Sequence, residues 1–89
     1  MKVEQELAIS NRLGLHVRPA GQLAAAAARF SARVWISCGD AEAEATSILD
    51  LLTLQCTCGK TVKLRAEGEE AAAAVACLAA LITNRFDEE

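Results

Sequence analysis

The strongest constraint on the fold of this chain is a set of four short segments in which apolar and polar residues alternate. A period of two is typical of a strand with one buried face, because successive side chains point to opposite faces of a sheet. A Gly-Asp pair at 39–40 separates the second and third segments and favours a tight hairpin. The predicted strands are VEQELAI at 3–9, ARVWISC at 32–38, AEAEA at 41–45 and KTVKLRAEG at 60–68.

The polar faces of the first and fourth predicted strands carry opposite charges. Glu4 and Glu6 alternate along the first strand, and Lys63 and Arg65 alternate along the fourth. Opposite charges on neighbouring strands stabilise their pairing, so we predict that these two strands are adjacent. The same alternation places Trp35 on the outer face. The predicted inward residues are Val3, Gln5, Leu7, Ile9, Val34, Ile36, Cys38, Val62, Leu64 and Ala66.

Three further segments, 17–29, 46–54 and 69–86, have helical spacing or high helix propensity. Ser47 can cap the second helix, and Asp50 follows three residues later, as in a capping box. The predicted apolar stripes consist of Ala20, Leu23, Ala24, Ala27 and Phe30 in the first helix, and of Ala74, Cys77, Leu78, Leu81 and Ile82 in the last.

The element order β-α-β-β-α-β-α predicts an α+β fold. Its expected form is an open-faced β-sandwich, with a four-stranded antiparallel sheet and three helices on one face, because this buries every apolar stripe at once. We expect residues 1–89 to form a single domain. A domain of this size buries only about 60% of its unfolded surface, which favours an exposed binding or carrier site over a closed enzyme pocket.

Charge and hydropathy exclude several classes of partner. The net charge is −3, and the nine Lys and Arg residues are scattered, so we expect no binding to nucleic acid. The charged N-terminus does not resemble a signal peptide, and the longest apolar run is too short to span a bilayer. We therefore expect a cytoplasmic protein that does not insert into membranes.

The four cysteines do not form a recognisable metal-binding pattern. Cys38 and Cys77 fall on apolar faces, where cysteine behaves as a small buried hydrophobe. Cys56 and Cys58 offer two thiols, whereas a structural zinc site takes four ligands. We expect no metal and no cofactor.

The segment NRLGLHVRPAG at 11–21 contains the only histidine and the only proline. If His16 precedes the first helix, Pro19 lies in its first turn, and the amides of Val17 and Arg18 have no partner within the helix. This positive helix terminus and the Arg18 guanidinium suit a phosphate, and they favour a neutral, nucleophilic imidazole. The alternative is that His16 only caps the helix and Arg18 is solvated.

GLHVRPAG at 14–21 resembles the active-site signature of HPr, the histidine phosphocarrier family of the phosphoenolpyruvate-dependent sugar phosphotransferase system. SILDLLTLQ at 47–55 resembles the regulatory-serine segment of that family, and Ser47 lies at the expected spacing from His16. AEG at 66–68, before the last helix, also fits. The resemblance extends over nearly the whole chain.

The resemblance implies that His16 accepts a phosphoryl group on Nδ1 from enzyme I, with assistance from Arg18, and passes it to a histidine of an enzyme IIA domain. It also implies that an ATP-dependent HPr kinase/phosphorylase modifies Ser47 in many bacteria. The protein would be a monomer that turns over only with its partner enzymes. The implied partner-binding residues are Val17, Ala20, Gly21, Ala24, Ile48, Leu49 and Leu52.

Five positions depart from the family pattern, and two of them are Ala25 and Ala28, where basic residues are often seen. Val17 stands where a small residue is usual, Thr46 replaces a frequent Lys or Arg, and Asp50 replaces a frequent Gly. Asp50 would repel a phosphate on Ser47. These differences suggest an altered set of partners. They also leave open an alternative hypothesis, in which the protein is mainly a regulatory binding module controlled through Ser47 in a partial phosphotransferase system.

Overall fold

The computed structural model describes residues 1–88, which form four strands and three helices in the predicted order. A short turn over Arg85–Asp87 follows the last helix. No helix within residues 1–88 is long and apolar enough to cross a membrane. In chain order the elements are β1 Lys2–Ala8, α1 Val17–Ala27, β2 Arg33–Cys38, β3 Ala41–Glu44, α2 Ile48–Thr53, β4 Thr61–Glu67 and α3 Ala71–Thr83.

The strands form one antiparallel sheet in the order β1-β4-β2-β3. Glu4 pairs with Arg65 and Glu6 pairs with Lys63, so the predicted pairing of the first and fourth strands is confirmed. The second and third strands form the predicted hairpin. The alternating charges predicted the pairing of β1 and β4 correctly because both strands place their charged side chains on the face of the sheet that is exposed to water.

The three helices cover one face of the sheet, and the core lies between the two layers. β1 is an edge strand, so its inward side is covered less completely than that of the central strand β4. Val3 and Leu7 are accordingly only half-buried, and Gln5, which lies on the same face opposite Leu64, is exposed. The largest buried residues of the sheet and helices are Ile36, Val62, Leu64, Leu23, Leu51, Leu78 and Ile82.

The uncovered face of the sheet carries Trp35, as predicted, and it is half-buried by its neighbours. The guanidinium carbons of Arg33 and Arg65 lie 4.8 Å and 4.0 Å from the centroid of the indole ring. Arg65 also donates to Glu42 at 3.2 Å and to Glu67 at 3.0 Å. These cation–π contacts and ion pairs give the aromatic ring a structural role on this face.

The two cysteines of the CTC sequence lie in different environments. Cys56 is buried with its Sγ 2.9 Å from that of Cys38, whereas Cys58 is exposed. Burial first, and then the hydrogen bond with Cys38, raise the pKa of the Cys56 thiol to about 12, so it stays protonated at neutral pH. Cys77 was predicted to be buried but is half-buried, since it lies towards the edge of the stripe of α3.

Both long helices end earlier than predicted. α1 stops at Ala27 rather than at Arg29. α3 stops at Thr83 rather than at Phe86, because the chain reverses in the turn over Arg85–Asp87. All three residues of this turn have positive φ, 55° at the first two and 58° at the third. The side chain of Phe86 is fully buried and anchors the turn.

Candidate functional site

His16 is the N-cap residue of α1, so the predicted helix start is confirmed. The backbone of His16 is extended, with φ −100° and ψ −168°, and its carbonyl accepts the first helical hydrogen bond from Ala20 at 3.0 Å. The amides of Val17 and Arg18 precede that bond, and Pro19 has no amide hydrogen. The first turn therefore presents two amides without an acceptor in the helix.

The loop before His16 is held against the segment that follows α2. The amide of Leu15 donates to the carbonyl of Cys56 at 2.8 Å. Gly14 has φ +68°, and a Cβ on it would lie 2.5 Å from the same carbonyl oxygen and 2.9 Å from Cα of Thr57. Only glycine fits this approach. The sequence predicted a break between elements at this loop. It did not predict that the loop packs against Cys56 and Thr57, which lie far along the chain.

The imidazole of His16 makes no capping hydrogen bond. Its Nε2 lies 2.9 Å from Oε1 of Glu88, and the side chain is 33% exposed. The imidazole therefore does not act as a side-chain cap, although His16 occupies the N-cap position and Arg18 is exposed to solvent.

Asn11 and Glu88 complete the surroundings of the imidazole, and sequence reasoning missed both. Asn11 is completely buried, and its Nδ2 donates to Oε1 of Glu88 at 2.9 Å and to the carbonyl of Gly14 at 2.7 Å. The Asn-x-x-Gly spacing is a turn signal that points to Asn11. No pattern points to Glu88, because its position depends on the turn after α3.

The pKa of the Glu88 carboxyl lies below its ordinary value. The hydrogen bond with His16 lowers it most, followed by the hydrogen bond from Asn11. The positive charge of Arg18 also lowers this pKa, which places the exposed guanidinium within electrostatic reach of the carboxylate. His16 and Glu88 thus form a hydrogen-bonded pair, and the exposed Arg18 follows two residues after His16 in the first turn of α1.

The structure divides the predicted partner-binding residues into exposed and buried ones. Ala20 is fully buried and Ala24 is 8% exposed, because both belong to the core-facing stripe of α1, so assigning them to a contact surface was wrong. Leu13, which the sequence did not single out, is 65% exposed. Gly21 and Leu52 are half-buried. The exposed apolar side chains on and beside α1 and α2 are Leu13, Val17, Ile48 and Leu49, together called the docking face below.

Ser47 caps α2 as predicted. Its Oγ accepts from the amide of Asp50 at 3.2 Å. The reciprocal bond of a capping box is not formed, because the amide of Ser47 donates instead to the carbonyl of Glu44 at 3.1 Å. The Asp50 side chain is exposed in the first turn of the helix. Ser47 therefore has a structural role whether or not it is modified.

Comparison with known proteins adds to this geometry. The family model described as "PTS HPr component phosphorylation site" matches residues 3–84. The phosphocarrier protein NPr of Shewanella violacea is 42% identical over 87 residues, which cover 98% of this chain and 96% of that protein. The phosphocarrier protein HPr of Xylella fastidiosa is 32% identical over 87 residues, with 98% of each chain covered. The crystal structure of HPr-C-His from Thermoanaerobacter tengcongensis matches with a TM-score of 0.93 at 36% identity, covering 98% of each chain.

Proposed function

Because the chain belongs to the HPr family of phosphocarriers of the phosphotransferase system, we propose that it accepts a phosphoryl group on His16 from enzyme I and passes it to a histidine of an enzyme IIA domain. The observation that carries this proposal is the placement of His16. Its imidazole is partly exposed at the start of α1, next to two helix-terminal amides, and Arg18 follows in the first turn of the helix.

The chemistry at this helix terminus suits a transient phosphohistidine. The unprotonated ring nitrogen attacks phosphorus, and the amides of Val17 and Arg18 are positioned to donate to the phosphoryl oxygens. The guanidinium of Arg18 adds positive charge against the same oxygens. Because His16 is exposed rather than enclosed, donor and acceptor proteins reach it in turn without any opening of the fold.

The docking face supplies an apolar surface around the histidine for both partners. Val17 is 66% exposed and Leu49 is 76% exposed, on two helices that pack against each other. Burial of such side chains against a partner favours association through the hydrophobic effect. We infer that residues 1–89 act as one monomeric domain in the cytoplasm, because a carrier that uses one face for donor and acceptor engages them successively.

Incubation with enzyme I and phosphoenolpyruvate tests the proposal. We expect one phosphoryl group per chain, stable in alkali and labile in acid as phosphoramidates are, which peptide mass spectrometry assigns to the fragment containing His16. Adding an enzyme IIA domain should then remove it. If no acid-labile phosphate forms with an enzyme I that phosphorylates another HPr protein in parallel, the proposed function is wrong for this donor.

We further propose that phosphorylation of Ser47 by an HPr kinase/phosphorylase regulates the carrier. Ser47 is half-buried at the start of α2 and directly precedes the exposed Ile48 and Leu49. A phosphate there adds about two negative charges at the docking face and should slow phosphorylation of His16. Asp50 opposes this modification through charge repulsion in the same helical turn.

Incubation with the kinase and ATP separates this regulation from the carrier function. We expect an acid-stable phosphate in the wild type and none in Ser47→Ala, with Thr46→Ala as the control that keeps the acceptor. If Ser47 is modified but His16 never is, the protein is a regulatory binding module instead. If no acid-stable phosphate forms, Ser47 is only a helix cap.

A further inference from the structure

The segment after α3 returns to the start of α1 through a strained turn. Three consecutive residues without glycine, Arg85–Asp87, have φ between 55° and 58°. Each such residue costs about 1–3 kcal/mol, and the conformation persists only where surrounding contacts impose it. The fully buried ring of Phe86 supplies such a contact, and the next residue, Glu88, reaches His16.

Two donors fix the carboxylate of Glu88. Its Oε1 lies 2.9 Å from Nε2 of His16 and accepts from Nδ2 of the buried Asn11, also at 2.9 Å. Asn11 is held in turn by the carbonyl of Gly14 at 2.7 Å. The Glu88 side chain is 17% exposed, so most of the carboxylate is shielded from water. The contact thus joins the C-terminal segment to the loop that positions the imidazole.

The hydrogen bond to Glu88 determines which ring nitrogen carries the proton. With its pKa lowered by His16 and then by Asn11, the Glu88 carboxyl is ionised at neutral pH. An ionised carboxylate only accepts hydrogen bonds, so Nε2 of His16 must be the donor. In a neutral imidazole with hydrogen on Nε2, the lone pair lies on Nδ1. The ring is thereby set to react through Nδ1.

We propose that Glu88 is a positioning residue for phosphoryl transfer, which selects the Nε2-protonated form of His16 and fixes the ring so that Nδ1 is the nucleophile. This inference deepens the proposed function and rests on it. A carboxylate that orients a reacting histidine acts in the same way in other proteins, where it sets the tautomer and stabilises the charged ring.

The transfer step balances without a proton donor. The Nδ1 lone pair forms the new N–P bond, while the bond between phosphorus and the leaving atom of the donor breaks and its electron pair stays on that atom. The ring retains its Nε2 hydrogen and gains positive charge. Glu88 stabilises that charge through the existing hydrogen bond to Nε2.

Glu88→Ala, Glu88→Gln and Asp87→Asn test this role. We expect ¹⁵N NMR of His16 at alkaline pH, where the ring is neutral, to show mainly Nε2–H in the wild type and a mixture of both tautomers in Glu88→Ala. The initial rate of phosphorylation by enzyme I should fall about tenfold in Glu88→Ala. Glu88→Gln should lose less, since its side-chain oxygen still accepts from Nε2. Asp87→Asn removes the same unit of charge from an exposed neighbour and should change neither measurement.

The outcomes distinguish an effect of the hydrogen bond between Glu88 and His16 from a general effect of removing one negative charge. If Glu88→Ala keeps the wild-type tautomer ratio, or if Asp87→Asn slows phosphorylation as much as Glu88→Gln does, the proposal is overturned. The tautomer measurement needs no phosphoryl donor. A wild-type protein that shows the Nε2–H form, loses it in Glu88→Ala and yet accepts no phosphate would therefore refute the proposed function while supporting the placement of the proton by Glu88.

Discussion

Replacing His16 with alanine is expected to abolish phosphorylation by enzyme I in a protein that stays folded. The loss should reach roughly 10³-fold or more, as for other nucleophiles whose removal leaves no substitute. The melting temperature should change little, because the imidazole is 33% exposed and makes no capping bond to α1. The measurements are incorporation of acid-labile phosphate and thermal unfolding followed by circular dichroism.

Two matched variants separate loss of the nucleophile from loss of a contact. His16→Gln keeps a side-chain donor for Glu88 but has no nucleophilic ring, so it should be as inactive as His16→Ala. Lys63→Ala alters an exposed side chain on the uncovered face of the sheet and should be phosphorylated at the wild-type rate. Acid-labile phosphate that persists in His16→Ala would place the acceptor on another residue.

The sheet was predictable because its signals are local and agree with one another. Glu4 and Glu6 oppose Arg65 and Lys63 across one strand pair, and alternating apolar residues fill the other face. The start of α1 was predictable for the same reason, since His16 immediately precedes a helix with proline in its first turn. Each of these features depends on residues close together in sequence or on one regular pattern.

The rest of the site depends on long-range packing that no local pattern records. Phe86 continues the helical spacing of Ile82, so the sequence favoured one long helix, yet its ring is buried through a left-handed turn instead. Glu88 reaches His16 only because of that turn. For Ala20 and Ala24 the local pattern was right and the family resemblance was misleading. Their helical spacing assigned them to the core, whereas the resemblance placed them on the partner-binding surface.

Replacing Phe86 with alanine is expected to lower the free energy of unfolding by about 3–5 kcal/mol, because the ring is fully buried against the core. For a domain of this size each kcal/mol lowers the melting temperature by about 4–8 °C, so a decrease of at least about 12 °C should follow. Urea unfolding monitored by circular dichroism measures the free energy. Phe30→Ala removes the same side chain from a half-buried site and should cost clearly less.

The effect of Phe86→Ala on His16 tests whether the buried ring and the carboxylate act together. Without the ring, the turn loses the buried contact that compensates the positive φ of Arg85–Asp87, so it should relax and Glu88 should leave the imidazole. Below the melting temperature of the variant, its His16 tautomers should then resemble those of Glu88→Ala, whereas Phe30→Ala should keep the wild-type form. If Phe86→Ala is destabilised but retains the Nε2–H form, the hydrogen bonds from Asn11 and His16 hold the carboxylate in place without the buried ring. The core residue would then stabilise the fold without setting the protonation of the phosphate acceptor.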